Sequence, residues 1–133
     1  QSDTEQFEKN KGARDLSFEM AREEVFIEQM QWADIIYFHG GRSEKLLQVL
    51  KKYPDFAHHF RGKIIGADSA GANALSSVFF SKTIGIGEGF GIIPTKIICH
   101  FKNEQRAILD QVRPELPLLC LSEYQFKTFI LNY

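Results

Sequence analysis

A serine, a histidine and a glutamate each follow a short apolar run in this chain, in the order Ser69, His100 and Glu123. These are the residue types of a serine hydrolase, in which the serine attacks a carbonyl, the histidine carries its proton and the acid orients the imidazole. Residues that follow parallel strands can meet, because ligands bind outside the carboxyl ends of such strands. The pattern predicts Ser69 as nucleophile, His100 as base and Glu123 as acid.

Small residues surround Ser69: Ala67 lies two positions before it, and Ala70 and Gly71 follow it. Small neighbours suit a sharp strand-to-helix turn, which lifts a serine hydroxyl out of the sheet, although the usual turn has glycine where Ala67 stands. The N–H of Ala70, at the start of the predicted helix, would then face the reacting oxygen. Serine and aspartate are also common helix N-caps, so Asp68 or Ser69 serving only as a cap stays an alternative.

Two further features bear on the same chemistry. Gly40 and Gly41 follow another apolar run, and their backbone can approach a substrate and supply a second oxyanion donor, although an ordinary turn has the same residues. Glu88, in the glycine-rich stretch from Gly85 to Gly91, is the alternative acid of the triad. We expect Glu123 to serve instead, because a glycine-rich backbone is a poor support for an orienting group.

The remaining reactive side chains predict no metal site. His58 and His59 are adjacent, so they point in different directions, and no cysteine or histidine spacing typical of zinc supports them. Cys99 and Cys120 are expected as core thiols, because cysteine behaves as a small buried hydrophobe. We therefore expect neither a metal ion nor an organic cofactor.

The composition limits the class of protein. With 133 residues, 44% of them apolar, the chain is expected to be one folded domain over 1–133, with residues 1–16 as a loop. Sixteen basic against 17 acidic residues give a net charge of −1, which argues against a nucleic-acid partner. No apolar run approaches the roughly 20 residues of a membrane span. A polar start and only two cysteines favour the cytoplasm, and a homodimer stays open.

Apolar periodicity predicts strands and helices in alternation. The predicted strands cover residues 35–38, 63–67, 95–99, 118–121 and 126–131. The predicted helices cover residues 17–31, 43–53 (with Ser43 as N-cap), 70–80 and 103–113. Such alternation is typical of βαβ units, so the predicted fold is α/β and doubly wound, a mostly parallel sheet with helices on both faces.

Three segments together resemble one family of serine peptidases. Gly66-Ala-Asp-Ser-Ala-Gly-Ala-Asn73, Glu88-Gly-Phe-Gly-Ile-Ile-Pro94 and Ile98-Cys-His-Phe101 are similar to segments of the aspartyl dipeptidase (peptidase E) and cyanophycinase-like peptidases. The resemblance covers about residues 17–131. It implies a flavodoxin-like fold of the class I glutamine amidotransferase type. It also implies a role for each site residue: Ser69 as nucleophile, His100 as base, Glu123 as acid, and the backbone of Gly40 or Gly41 and of Ala70 as oxyanion donors.

The resemblance further implies hydrolysis of short peptides, including dipeptides that begin with an acidic residue. An acidic side chain needs a cation, for which Arg42 and Lys102 lie near the expected edge. The family has one or two more strands before residues 35–38, and a longer segment than residues 80–85, so we expect a small or truncated member. A second hypothesis is a catalytically silent α/β binding domain that keeps the serine turn.

Overall fold

The structure, a computed structural model, describes residues 3–132, and the chain forms two compact units that divide between Ala33 and Asp34. The first unit contains helix α1 (Asp3–Asn10), a 3-10 turn (Glu23–Val25) and helix α2 (Phe26–Trp32). The loop predicted for 1–16 is therefore wrong over α1, and residues 1 and 2 lie outside the described part. Acidic residues in the first turn of α1 and Lys9 in its last turn match the helix dipole, which favours this helix.

The second unit begins with two strand–helix pairs and continues with four strands. Its elements are β1 (Ile35–Phe38), α3 (Ser43–Leu50), β2 (Ile64–Ala67), α4 (Ala70–Leu75), β3 (Ser76–Ser81), β4 (Gly85–Glu88), β5 (Ile93–Cys99) and β6 (Leu118–Leu121). Strands β1 and β2 form a parallel pair, and the other four form a sheet in the order β4-β3-β5-β6. Strand β4 runs antiparallel to β3, whereas β3, β5 and β6 run parallel. Within residues 3–132, no helix has the length and apolar character needed to cross a bilayer.

The α/β class is as predicted, and the strands at 35–38, 63–67, 95–99 and 118–121 are present to within two residues. They belong to two sheets, so the single doubly wound sheet stays a prediction. The helix predicted over 17–31 is shorter, since its α-helical part begins at Phe26. The strand predicted over 126–131 is wrong: these residues are irregular and largely exposed, with Phe126 and Ile130 86% and 88% accessible.

Two predicted helices end early. The helix over 70–80 stops at Leu75, where the Ser76 hydroxyl donates to the Asn73 carbonyl oxygen at 2.8 Å, and strand-favouring residues follow in β3. The helix over 103–113 is reduced to a 3-10 turn (Asn103–Gln105) and further turns. Here the buried Lys96 donates through Nζ to the Leu109 carbonyl oxygen at 2.8 Å, an acceptor that a continuous helix would pair with a backbone N–H.

Two apolar clusters hold the strands in place. Val78 on β3, Ile98 on β5 and Leu109 are almost fully buried together, with Phe80, Phe101, Val112 and Leu118 packed against them. A second cluster consists of four phenylalanine rings, whose centroids lie 5.0–6.4 Å apart: Phe38, Phe56, Phe60 and Phe90. Phe38 ends β1 and Ile98 lies near the end of β5. These clusters therefore hold the strand ends that precede Gly40 and His100.

The start of α4 packs directly on β1. The Asp68 N–H donates to the Phe38 carbonyl oxygen at 2.9 Å, and a Cβ on Gly71 would overlap that same oxygen. The oxygen belongs to the backbone and the added Cβ is fixed on its Cα, so neither can rotate away. Glycine at position 71 thus allows the helix that follows Ser69 to lie against the strand that precedes Gly40.

We expect Gly71→Ala to lower the free energy of unfolding by about 3 kcal/mol or more, because the added methyl group forces β1 and α4 apart. Urea denaturation measures this. Gly62→Ala is the matched control, since Gly62 has φ +75° but open space around its Cα, so only backbone strain of about 1–2 kcal/mol is expected. Equal losses in the two variants would show that the close approach at Gly71 is not limiting.

Candidate active site

Ser69 occupies the turn between β2 and α4 in a strained backbone conformation. Its φ is +49° and its ψ is −107°, a region that residues with a side chain rarely adopt. Its side chain makes no capping hydrogen bond with α4, so the interpretation of Ser69 as a mere helix cap is wrong. Strain of this kind is found at the nucleophile of strand-turn-helix hydrolases, where it exposes the hydroxyl.

His100 directly follows β5 and reaches the hydroxyl of Ser69. Its Nε2 lies 3.1 Å from the Ser69 Oγ, and its own backbone is also left-handed, with φ +53°. Its other ring nitrogen, Nδ1, contacts a carboxylate and therefore donates a proton to it. In the neutral ring this leaves Nε2 as an acceptor, so the Ser69 O–H donates to it.

Glu123 supplies that carboxylate. Strands β5 and β6 are parallel with Cys99 opposite Leu121, and the Phe101 N–H donates to the Leu121 carbonyl oxygen at 3.0 Å. This register brings His100 and Glu123 to the same strand end, where His100 Nδ1 donates to Glu123 Oε1. The side chains are 59% and 63% exposed. A contact this exposed adds little to stability, but it fixes the orientation of the imidazole.

Glu88, the alternative acid of the triad, lies far from His100. It ends β4, where it pairs with Val78 on β3, so its backbone is held by the sheet rather than free as its glycine neighbours suggested. Two strand spacings separate β4 from β5, and Val78 is level with Lys96, four residues before His100. At about 4.8 Å per strand and 3.3 Å per residue, Glu88 is on the order of 15 Å from His100. The structure therefore brings Glu123, and not Glu88, to the imidazole.

The expected oxyanion donors differ in position. A Cβ on Gly40 would lie 3.4 Å from the Ser69 Cβ, so its backbone passes directly beside the nucleophile. The His39 ring donates through Nδ1 to the Gly40 carbonyl oxygen at 2.8 Å and helps to hold this turn. Ala70, next to Ser69, is 1% exposed at the start of α4. Gly41 is one residue farther, with nothing within 4 Å of an added Cβ, so of the two glycines Gly40 is the one beside Ser69.

A buried hydrogen bond that the sequence analysis missed joins the two donor segments. Asn73 on α4 donates through Nδ2 to the Ser43 Oγ at 3.1 Å, and both residues are buried. Ser43 was expected as the N-cap of α3, but Arg42 occupies that position without a side-chain cap. The bond ties the segment after Gly40 to the helix after Ser69. An amide within the otherwise apolar, small-residue sequence of α4 is the signal that would have revealed it.

The two cations considered for an acidic substrate are not beside the nucleophile. Arg42 is paired with Glu44, with 2.6 Å between Nε and Oε1, and neither Arg42 nor Lys102 lines the cavity at Ser69. A backbone hydrogen bond and this guanidinium lower the pKa of Glu44 below its usual range. Among residues 3–132, no three histidine, cysteine or acidic side chains are grouped as a metal site requires.

Cys99 lies next to the triad but has low reactivity as a nucleophile. Its thiol donates through Sγ to the Ser69 carbonyl oxygen at 3.8 Å. Burial, assisted by the negative charge of Asp68, raises the pKa of Cys99 from 9.0 to about 11. The thiolate is the reactive form of cysteine, so at neutral pH this residue supports the Ser69 backbone and does not compete as a nucleophile.

A raised pKa leaves less thiolate at every pH below 11, so we expect Cys99 to be alkylated by iodoacetamide about a hundredfold more slowly at pH 8 than an unperturbed thiol. Peptide mass spectrometry with glutathione as the reference measures the rate. The same protein unfolded in urea is the control and should react at the reference rate. Equally fast alkylation of folded Cys99 would contradict the burial described above.

Comparison with known proteins assigns no family to this site. No protein-family model matches the chain, and no curated protein or solved structure matches it either. Any function assigned to Ser69, His100 and Glu123 therefore has to be argued from their geometry and chemistry.

Proposed function

We propose that this protein is a serine-type peptidase that hydrolyses short peptides. One observation carries the proposal: a single imidazole, that of His100, connects the Ser69 hydroxyl at one ring nitrogen with the Glu123 carboxylate at the other. A helix cap, a surface ion pair or a buried histidine would each explain one of these contacts. Only nucleophile activation requires both on opposite sides of the same ring.

The proposed reaction begins with attack of Ser69 Oγ on the substrate carbonyl carbon. His100 Nε2 accepts the hydroxyl proton as the C–O bond forms, and Glu123 stabilises the resulting imidazolium through Nδ1–H. The imidazolium then protonates the leaving amine, and the C–N bond breaks to give an acyl-serine. Water, deprotonated by the same ring, hydrolyses this ester and regenerates Ser69.

Negative charge develops on the carbonyl oxygen in both steps. The backbone N–H groups of Gly40 and Ala70 are the proposed donors, because Gly40 passes beside Ser69 and Ala70 follows it. Pre-arranged donors of this kind are among the largest contributions to acyl-transfer catalysis. The Asn73–Ser43 hydrogen bond helps to fix the distance between the two donors, since it links the segments that carry them.

We also propose that the strands form a doubly wound sheet. The motif resemblance favours a flavodoxin-like, doubly wound arrangement of a peptidase E or cyanophycinase-like member. Parallel pairing of β1 with β2 and of β5 with β3 and β6, with site residues at the carboxyl ends, supports it. The rival hypothesis of a silent binding domain differs in one measurable respect, because it requires no activated serine.

A fluorophosphonate probe is expected to label the wild-type protein at one serine, because such probes react with hydroxyls that a base has activated. Ser69→Ala should abolish labelling and lower hydrolysis by at least about a hundredfold. Ser122→Ala is the matched control: Ser122 lines the same cavity, follows β6 and should leave labelling unchanged. A Ser69→Ala protein that labels like the wild type would refute the nucleophile assignment.

Glu123→Gln is expected to lower kcat by about 10³- to 10⁴-fold, because the amide no longer fixes the ring tautomer or balances the imidazolium charge. Thermal unfolding should change little, since the contact between Glu123 and His100 is exposed. Glu88→Gln makes the same chemical change on β4, away from His100, and should retain activity within about tenfold. If Glu88→Gln were the more damaging substitution, the acid of the triad would be wrongly assigned.

A further inference from the structure

A cavity of about 810 Å³ opens beside the triad. Such a volume is in the range of sites that bind small ligands. Ser69, His100 and Glu123 all line it, as do residues of β2, β5 and β6 and the segment 124–131. The strands and the helix that line it contribute mainly apolar side chains, which are Ile65, Leu75, Ile93, Ile97, Leu119 and Leu121.

The charges around this cavity are unevenly distributed. Beside the nucleophile the cavity is lined by two carboxylates, Asp68 and Glu123, and by the imidazole of His100 and the thiol of Cys99. Lys63 also lines the cavity but precedes β2, whereas Ser69 follows it, so the two are on the order of 15 Å apart along the strand. The other lining cation, Lys127, lies on the irregular segment after β6, four residues after Glu123, so the two carboxylates outnumber it.

An acidic substrate side chain would therefore meet like charge at the reacting end. Two carboxylates disfavour a third beside them, and of the described lysines that line the cavity only Lys127, on the segment after Glu123, could offset one of these charges. An apolar side chain meets no such cost and gains from leaving water for the strand walls. Arg42, which could have served an acidic group, is paired with Glu44.

We propose, as a deepening of the peptidase function on which this inference rests, that the residue on the acyl side of the scissile bond is apolar. The side chains of Ile97, Leu119 and Leu121 form the wall that selects it. This proposal differs from the preference for an N-terminal acidic residue that the motif resemblance implies. A medium-sized aliphatic group such as leucine is the expected occupant.

The test compares two fluorogenic substrates that differ only in one side chain, acetyl-Leu-aminocoumarin and acetyl-Asp-aminocoumarin. We expect kcat/KM to favour leucine by at least about tenfold, the size of discrimination that an apolar pocket provides. Fluorophosphonate labelling of the same sample reports Ser69 independently of any side chain. Labelled protein that prefers aspartate overturns this inference and leaves the peptidase function standing, whereas protein that is neither labelled nor active overturns both.

A charge introduced into the cavity tests its role without disturbing the core. Phe129, which lines the cavity and is 40% exposed, is changed to lysine. Phe129→Lys adds a second cation to the lining segment that already carries Lys127, and we expect it to raise the aspartate-to-leucine ratio of kcat/KM by about fivefold, the effect of one partly exposed opposite charge. Ile86→Lys adds the same charge at a half-exposed position on β4 outside the cavity, and should leave the ratio unchanged. An equal shift in both variants, or none in Phe129→Lys, overturns the inference.

Discussion

The left-handed backbone of Ser69 is the constraint on which the site depends. For a residue with a Cβ, this conformation costs of the order of 1–3 kcal/mol, and it persists only where the surroundings hold it. Here the flanking segments are fixed on both sides. The Asp68 N–H is bonded to β1, and the Asn73 N–H bonds back to the Ser69 carbonyl oxygen at 2.9 Å. The result is a hydroxyl that points to His100 instead of capping the helix.

The second requirement is register. His100 and Glu123 are brought together because β5 and β6 are parallel with Cys99 opposite Leu121, and a shift of either strand would separate ring and carboxylate. Both side chains remain largely exposed, so the surrounding water weakens their attraction. A substrate seated in the apolar cavity would displace that water. Binding and activation of the nucleophile are thus expected to reinforce each other, since each electrostatic contact strengthens as solvent leaves.

The features of the fold and site that the sequence predicts correctly are those that depend on residues close together in the chain. Strands at 35–38 and 118–121 and the order of site residues at strand ends follow from local apolar runs, which the sequence displays directly. The helices over 70–80 and 103–113 were overestimated because long-range contacts decide them, such as Lys96 with the Leu109 carbonyl. Glu88 was judged by its glycine neighbours, whereas its pairing with Val78 across the sheet determines its place. The Asn73–Ser43 bond joins residues 30 apart and has only a weak local signal.

A crystal structure of the protein with a peptide boronic acid would test the central claim most directly, because the boron accepts an electron pair from a serine oxygen and the tetrahedral adduct resembles the tetrahedral intermediate of acyl transfer. The account predicts a covalent bond from Ser69 Oγ to boron. One boronate oxygen should lie about 2.7–3.1 Å from the N–H groups of Gly40 and Ala70. His100 should retain its contacts with both Ser69 and Glu123. An inhibitor bound without a bond to Ser69, or an adduct whose oxygens all face solvent away from these N–H groups, would contradict it.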